Sequence, residues 1–389
     1  MKLASHQECT GCTACRNACA RSAISMVADS EGFLYPSVDA TLCVSCGACE
    51  RACPVMHSRP ERRPVLVYAV KAKDVDLRKA SSSGGVFSLL AQQMIVGGGQ
   101  VFGAIFDADV CVVKHIGVET VDALSAMRGS RYVQSDLGKV FAEILDLLRN
   151  GRPVLFVGTP CQVAGLRQLM ETETRVTDEN LLLVETVCHA VPSPKAFGIW
   201  LTEHRQMHSS RVKNVVFRDK MKSWRHYDVR IDFEDGVEYR CAYGNDLYMR
   251  TFLAEMMNRP SCYQCSWRGL RSGADLTLGD YWGISKHHLD FNDDRGVSLV
   301  LANTEKGRRW FDEIISNCER LESSFDCAVE GNPSLLKSPS VPKKRRCFFR
   351  MLDRKGFNAA AHKVLAPSLK SRIRFYWMRL RQKLHLIPE

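Results

Sequence analysis

The chain has 389 residues, 45% hydrophobic and 25% charged, with 17 cysteines and a formal net charge of +11. That length suits two or three domains with ordinary cores, and no uncharged apolar stretch approaches the roughly 18 residues of a spanning helix. The start MKLASHQEC has no apolar h-region, so the cysteines predict free or metal-bound thiols in a reducing, cytoplasmic setting rather than a secreted disulfide scaffold.

The first 57 residues read as a ferredoxin-like module built by duplication. Cys9, Cys12, Cys15 and Cys19 repeat 34 residues later as Cys43, Cys46, Cys49 and Cys53, the last followed by Pro54. This C-x₂-C-x₂-C-x₃-C-P run is the bacterial pattern for two 4Fe–4S clusters, in which the fourth cysteine of each run serves the other cluster. The expected ligands are therefore Cys9, Cys12, Cys15 and Cys53 on cluster one, and Cys43, Cys46, Cys49 and Cys19 on cluster two. Paired C-x₂-C units also make Cys₄ zinc sites, but zinc takes four sulfurs and leaves the third and fourth cysteine of each run without a role. Between the halves, residues 24–27 and 33–38 flank Asp29-Ser30-Glu31-Gly32 and predict a hairpin.

The charged, proline-punctuated stretch 57–64 reads as a linker. Beyond it, strands are expected at 65–70, 100–106, 154–157 and 181–187, alternating with helices at 85–95, 138–148 and 162–170. Such alternation predicts an α/β layer with parallel pairing over 65–205. Expected strands at 212–217, 227–233 and 298–302 make 206–335 a strand-rich second part of a 65–335 core. Residues 336–389 read as a basic linker and tail. Residues 337–389 hold 15 Lys/Arg against 2 Asp/Glu, which leaves a balance of −2 elsewhere. Leu369, Ile373, Tyr376, Trp377, Leu380, Leu384 and Ile387 recur at helical spacing among arginines and lysines. Such a basic amphipathic helix packs on its own domain, lies on an anionic membrane surface or docks on an acidic partner; nucleic acid is disfavoured without a binding module. The fold class expected overall is α/β (α+β as a whole): a ferredoxin-like module, a mixed α/β core and a basic helical tail.

Five core segments carry chemistry. Gly158-Thr159-Pro160-Cys161-Gln162 joins an apolar strand to a helix start, where unsatisfied N–H groups suit an anion or a thiolate. The next strand ends in Cys188-His189, and parallel pairing would bring Cys161 and Cys188 to one carboxyl edge, where open α/β sheets bind ligands. With Cys262 and Cys265 they could complete a third 4Fe–4S site; otherwise the first two are small buried thiols and the C-x-x-C binds zinc or nothing. Residues 79–85, including Ser81, Ser82, Ser83, Gly84 and Gly85, form either a phosphate or flavin cradle or an N-cap loop with spare serines. The 127–136 stretch mixes guanidinium, amide and aromatic groups suited to a nucleotide or flavin. His189 is a candidate proton donor, or else a hydrogen-bond partner of a sulfur or carbonyl. Cys111, Cys241, Cys318, Cys327 and Cys347 are solitary and read as ordinary thiols.

The motifs at 81–85, 128–135, 158–166, 187–194, 262–265 and 274–283 together resemble the coenzyme F(420) hydrogenase/dehydrogenase beta-subunit family, over about residues 65–305. The resemblance implies an iron–sulfur flavoprotein oxidoreductase with FAD, two N-terminal 4Fe–4S clusters and a third on Cys161, Cys188, Cys262 and Cys265. It implies flavin walls from Ser81, Ser82, Ser83, Gly84 and Gly85, from Arg128, Gly129, Ser130, Tyr132, Gln134 and Ser135, and from Gly158, Thr159, Pro160 and Gln162. The acceptor would be coenzyme F(420) or another soluble molecule, and the partner a ferredoxin or another oxidoreductase subunit. The alternative is a non-catalytic subunit that only relays electrons. Ala20 stands where a proline usually follows the first run, with the ligand itself intact.

Overall fold

A computed structural model describes residues 3–173 and 175–367. The cysteine-rich start forms two short helices, α1 (Ala14–Asn17) and α2 (Ala48–Arg51), beside an antiparallel hairpin of β1 (Ile24–Ala28) and β2 (Leu34–Val38). The duplication recurs in the backbone. Gly11 and Ser45 both have positive φ (70° and 53°), as do Thr13 and Gly47 (62° and 72°). Left-handed residues are rare outside glycine, and here they turn the chain back on itself between the first three cysteines of each run.

Eight strands build one mixed sheet: β3 (Leu66–Ala72), β4 (Gln100–Asp107), β5 (Val112–Val118), β6 (Val154–Gly158), β7 (Leu181–Thr186) and, after β8–β10 in the chain, β11 (Leu276–Asp280), β12 (Ser298–Ala302) and β13 (Cys318–Glu322). Their order is β13-β3-β12-β11-β7-β6-β4-β5. The central pairs β11/β7, β7/β6 and β6/β4 are parallel and the outer pairs antiparallel. The near-continuous apolar runs of β6 and β7 suit strands covered on both faces. Val154, Phe156, Leu181 and Leu183 enter one core, while Leu155, Leu182 and Val184 enter the other. The covering helices are α3 (Val75–Ala80), α4 (Val86–Val96), α5 (Val140–Arg149), α6 (Pro160–Glu171), α7 (Pro194–His208), α8 (Leu247–Leu253), α9 (Ile284–His287), α10 (Glu305–Glu313), α11 (Phe325–Gly331) and α12 (Arg345–Leu365).

Two divisions read from the sequence give way. The 206–335 stretch is strand-rich, but its strands divide between two sheets: β11, β12 and β13 complete the main sheet, and β8 (Val212–Asp219), β9 (Asp228–Phe233) and β10 (Glu238–Ala242) form a second, three-stranded sheet. Nor is 336–367 a tail. Phe348, Phe349, Leu352, Phe357 and Val364 of α12 are buried in the same core as α7 and α8, because apolar residues recur at helical spacing on either side of a kink at Gly356 (φ 81°). A buried ion pair between Arg345 and Glu31 also ties α12 to the β1–β2 turn. The amphipathic helix expected at 369–387 lies outside the described residues.

Candidate redox site

The ferredoxin-like module is packed on α5 and α6. Asn17 Nδ2 donates to the Gly138 carbonyl at 3.2 Å and its Oδ1 accepts from Ala142 N–H, while Gln168 Nε2 donates to the Arg51 carbonyl at 3.1 Å. Gly165 of α6 lies so close to Cys12 that a Cβ there would stand 2.9 Å from the Cys12 Cβ. Cys9, Cys12, Cys15 and Cys53 line one small pocket. Burial raises the thiols of Cys12 and Cys15, the latter to about 12, and each is pushed further by its neighbours' charges. Cys49 lies near Cys19, whose charge acts on it, and its own charge reaches Cys15, so the two thiol sets adjoin. Cys46 is exposed and Cys43 and Cys19 are half-buried, beside exposed Leu42 and Val44.

The second group of thiols forms at the carboxyl edge of the sheet. Gly158 of β6 is in register with Glu185 of β7, so both strands end at the same level. Thr159 caps α6, Pro160 takes the first helical position, and the Gln162 side chain accepts the Thr159 N–H at 2.9 Å, leaving Cys161 on the first turn. Cys188 follows β7. Cys262 and Cys265 arrive on a short 3₁₀ turn (Pro260–Gln264). Burial raises Cys161 to about 11, Cys262 to about 12 and Cys188 well above its ordinary value, and the charges of Cys161, Cys262 and Cys265 all act on Cys188. These four cysteines, far apart in sequence, are therefore neighbours. Among the described residues no three His, Cys, Asp or Glu side chains close on the position of a single ion. Ligands to a multi-iron cluster surround a larger space, as the pocket shared by Cys9, Cys12, Cys15 and Cys53 provides, and coordination deprotonates such thiols outright.

A cavity of about 870 Å³ opens at the carboxyl ends of β4, β6, β7 and β11. Ser81, Ser82, Ser83, Gly85, Arg128, Gly129, Ser130, Tyr132, Ser135, Gly158, Thr159 and Gln162 line it, as do Cys188 and His189. Three expected wall residues stand behind it. Gly84 is pressed against β3 and β12, where a Cβ would lie 2.2 Å from the Val70 carbonyl oxygen, Pro160 opens α6, and Gln134 turns toward the ferredoxin-like module to donate to the Thr10 carbonyl at 3.0 Å. One part of the wall gathers hydroxyl and guanidinium donors. The hydroxyls of Ser82 and Ser130 lie 3.2 Å apart beside Arg128 and Arg131, and burial holds the Arg131 guanidinium down at about 10. The described contacts of Arg131 are backbone carbonyls and its Nε is unpartnered. Elsewhere the wall is aromatic and rigid. Tyr227 and Trp282 sandwich the buried Arg218, whose ion-pair partner Asp280 also accepts the Trp224 indole N–H at 2.8 Å. The donor set thus fits a large, planar, phosphate-bearing cofactor.

Residues 151–324 match the family model for the carboxyl-terminal part of the beta subunit of coenzyme F(420) hydrogenase/dehydrogenase, and residues 8–56 match that of the 4Fe-4S dicluster domain. Residues 151–324 belong to the coenzyme F(420) hydrogenase/dehydrogenase beta-subunit family, and residues 8–56 to the 4Fe-4S dicluster family. A solved structure of the F(420)-reducing NiFe hydrogenase complex from Methanosarcina barkeri is similar at 16% identity and a TM-score of 0.48, covering 71% of this chain and 91% of that one. No protein of curated function matches the chain. Carrying both regions, the chain is an iron–sulfur protein of an electron-transferring oxidoreductase class, and among the described residues no helix is long and apolar enough to cross a membrane.

Several functional-looking residues of this family member escaped the sequence reading. His115 lines the cavity, and burial holds it down at about 4, with Nε2 3.1 Å from the Val157 carbonyl. Nothing around it in the chain marks it out. Arg131 was visible within the 128–135 motif but undistinguished from its neighbours. Arg259 could have been noticed as a cation directly before the Cys262-x-x-Cys265 pair. Within the 274–283 motif, Asp280 and Trp282 line the cavity, whereas Tyr281 is buried apart from it with its hydroxyl on Ser323.

Proposed function

We propose that this protein is an iron–sulfur flavoprotein oxidoreductase. In this reading two 4Fe–4S clusters in the ferredoxin-like module and a third on Cys161, Cys188, Cys262 and Cys265 carry single electrons to FAD in the cavity. A soluble acceptor of the coenzyme F(420) type is reduced there. The observation that carries it is a shared residue: Cys188 belongs both to the four-thiol group and to the cavity wall. A cluster held there would adjoin a flavin held in the cavity.

Bound FAD would supply the exchange between one-electron and hydride chemistry. The chain's own contributions are separable. Ser82, Ser130, Arg128 and Arg131 hold the diphosphate, with hydroxyl and guanidinium donors placed where they replace its hydration. Tyr227 and Trp282, fixed by Arg218 and Asp280, close that side of the cavity against water. His189, with Nε2 2.6 Å from a Glu255 carboxylate oxygen, is the group we assign to hold a proton at the cavity wall. The exposed Cys46 and half-buried Cys43 and Cys19, beside Leu42 and Val44, suit electron entry from a ferredoxin or another oxidoreductase subunit. To the basic residues 368–389 we assign docking on an anionic membrane surface or an acidic partner.

The test is turnover by the anaerobically reconstituted protein with an artificial one-electron donor, offered the deazaflavin and other soluble acceptors in turn. Acceptor reduction at many equivalents per chain supports the enzyme. Cluster reduction with no acceptor turned over leaves only the relay role.

A further inference from the structure

We propose that Arg259 is a fixed counter-charge shared by the Cys9/Cys12/Cys15/Cys53 cluster and the Cys161/Cys188/Cys262/Cys265 cluster, raising the reduction potentials of both so that electrons cross between them. This rests on the three-cluster reading above.

Arg259 is 1% exposed, and none of its contacts among the described residues is a carboxylate. Nε donates to the Cys9 carbonyl at 2.8 Å, Nη1 to Gln134 Oε1 at 2.9 Å, and Nη2 to the Leu34 carbonyl at 3.0 Å and toward Cys9 Sγ at 3.8 Å. Its plane lies over Tyr35 and Phe33. Arg78, Arg218 and Arg345 are each buried against an acid, Asp293, Asp280 and Glu31 in turn, whereas Arg131 at the cavity wall resembles Arg259 in meeting only neutral groups. A buried guanidinium held only by neutral groups is costly, unless the missing negative charge arrives with something the thiols bind.

Arg259 stands between the two thiol sets in the chain's packing: its guanidinium touches Cys9, and its carbonyl accepts the Cys262 N–H at 3.0 Å at the start of the Pro260–Gln264 turn that leads to Cys265. Each electron taken up leaves a cluster on four thiolates one unit more negative, and a fixed cation in a low-dielectric interior favours that form. The electron comes from a one-electron donor by way of the first module and passes on to the third site, so the guanidinium is not consumed.

The experiment is an anaerobic, EPR-monitored redox titration of the reconstituted full chain with dithionite. Arg259→Gln removes the charge, and Arg259→Lys keeps it without the fork. Gln134→Glu places a carboxylate on Nη1, neutralising the charge while leaving the arginine in place. Arg259→Gln and Gln134→Glu should each make reduction of the Cys9-set cluster at least tenfold less favourable, a fall of about 59 mV for one electron. Arg259→Lys should stay within about threefold of wild type. Wild-type potentials in an iron-replete Arg259→Gln protein overturn the proposal. If that variant does not fold, an unshifted Gln134→Glu protein overturns it. Wild-type protein with fewer than three clusters by iron and sulfide count removes the parent reading before any variant is compared.

Discussion

Gly165 gives a test of how closely the ferredoxin-like module is packed, because two effects of one methyl group compete there. A Cβ at this position meets Cys12 Cβ at 2.9 Å, Cys12 Sγ at 3.0 Å and Phe141 Cε2 at 3.3 Å. Carbon atoms in good contact stand about 3.5–4.0 Å apart, so Cys12 must move by about half an ångström or more. Gly198, inside α7, has nothing within 4 Å of the same point and serves as control. Helix propensity favours alanine over glycine by about 1 kcal/mol at either site, so Gly198→Ala should stabilise by about that amount. Overpacking costs about 1–3 kcal/mol. Gly165→Ala should therefore fall about 1–3 kcal/mol below Gly198→Ala, ending at or below wild type by as much as about 2 kcal/mol. The strain falls on a cysteine assigned to cluster one, so iron per chain should fall as well. Anaerobic urea titrations of both variants, with iron counts on the same samples, make the comparison. If Gly165→Ala gained as much stability as Gly198→Ala and kept its iron, the close packing of α6 on the cysteine run would be refuted.

Arg131→Gln should weaken FAD retention by about ten- to a hundredfold, since hydrogen bonds to charged groups contribute about 1.5–3 kcal/mol. Ultrafiltration of bound flavin measures this, and unchanged retention at full iron content would contradict the anion-binding role. His115, held down at about 4 by burial from an ordinary 6.5, should contribute stability that is complete above pH 6.5 and lost as pH falls toward 4, about 3 kcal/mol in all. Glu185, raised from 4.5 to about 7 by burial, acts in the opposite sense, removing stability as pH climbs through that range. The informative quantity is therefore the difference between wild type and His115→Gln from pH 4 to 7, and a difference that does not vary with pH would refute the assignment. Because α12 is core, truncation should begin at residue 368. Loss of residues 368–389 should abolish sedimentation with anionic liposomes at low salt, and equal recovery of both forms would remove the membrane reading.

What the sequence disclosed follows from where its signals are local. The cysteine spacings carry their own geometry, and the backbone repeats it at Gly11/Ser45 and Thr13/Gly47. The apolar runs of β6 and β7 and the helix start after Gly158-Thr159-Pro160 were visible for the same reason, and so was the carboxyl edge shared by Cys161 and Cys188. Long-range partnerships were not. No periodicity in 276–322 says that β11 to β13 join the sheet begun by β3, because strand pairing is decided by contacts far apart in sequence. The basic character of 337–389 concealed the buried face of α12 at Phe348, Phe349 and Leu352. Gln134 looked like a flavin ligand beside Arg128 and Ser135, yet its side chain turns the other way, to Thr10 and Arg259. Arg259 and His115 draw their interest wholly from burial and from what surrounds them, which only the folded chain supplies.

The central claim is that three clusters and one flavin share this chain, and cofactor stoichiometry tests it most directly. After anaerobic reconstitution, iron, acid-labile sulfide and FAD should be counted on one sample, beside a Cys262→Ser/Cys265→Ser double variant. The account predicts about twelve irons, about twelve sulfides and about one FAD per wild-type chain, falling to about eight irons in the variant. About eight irons in both proteins, or tightly held zinc in place of iron, would contradict it.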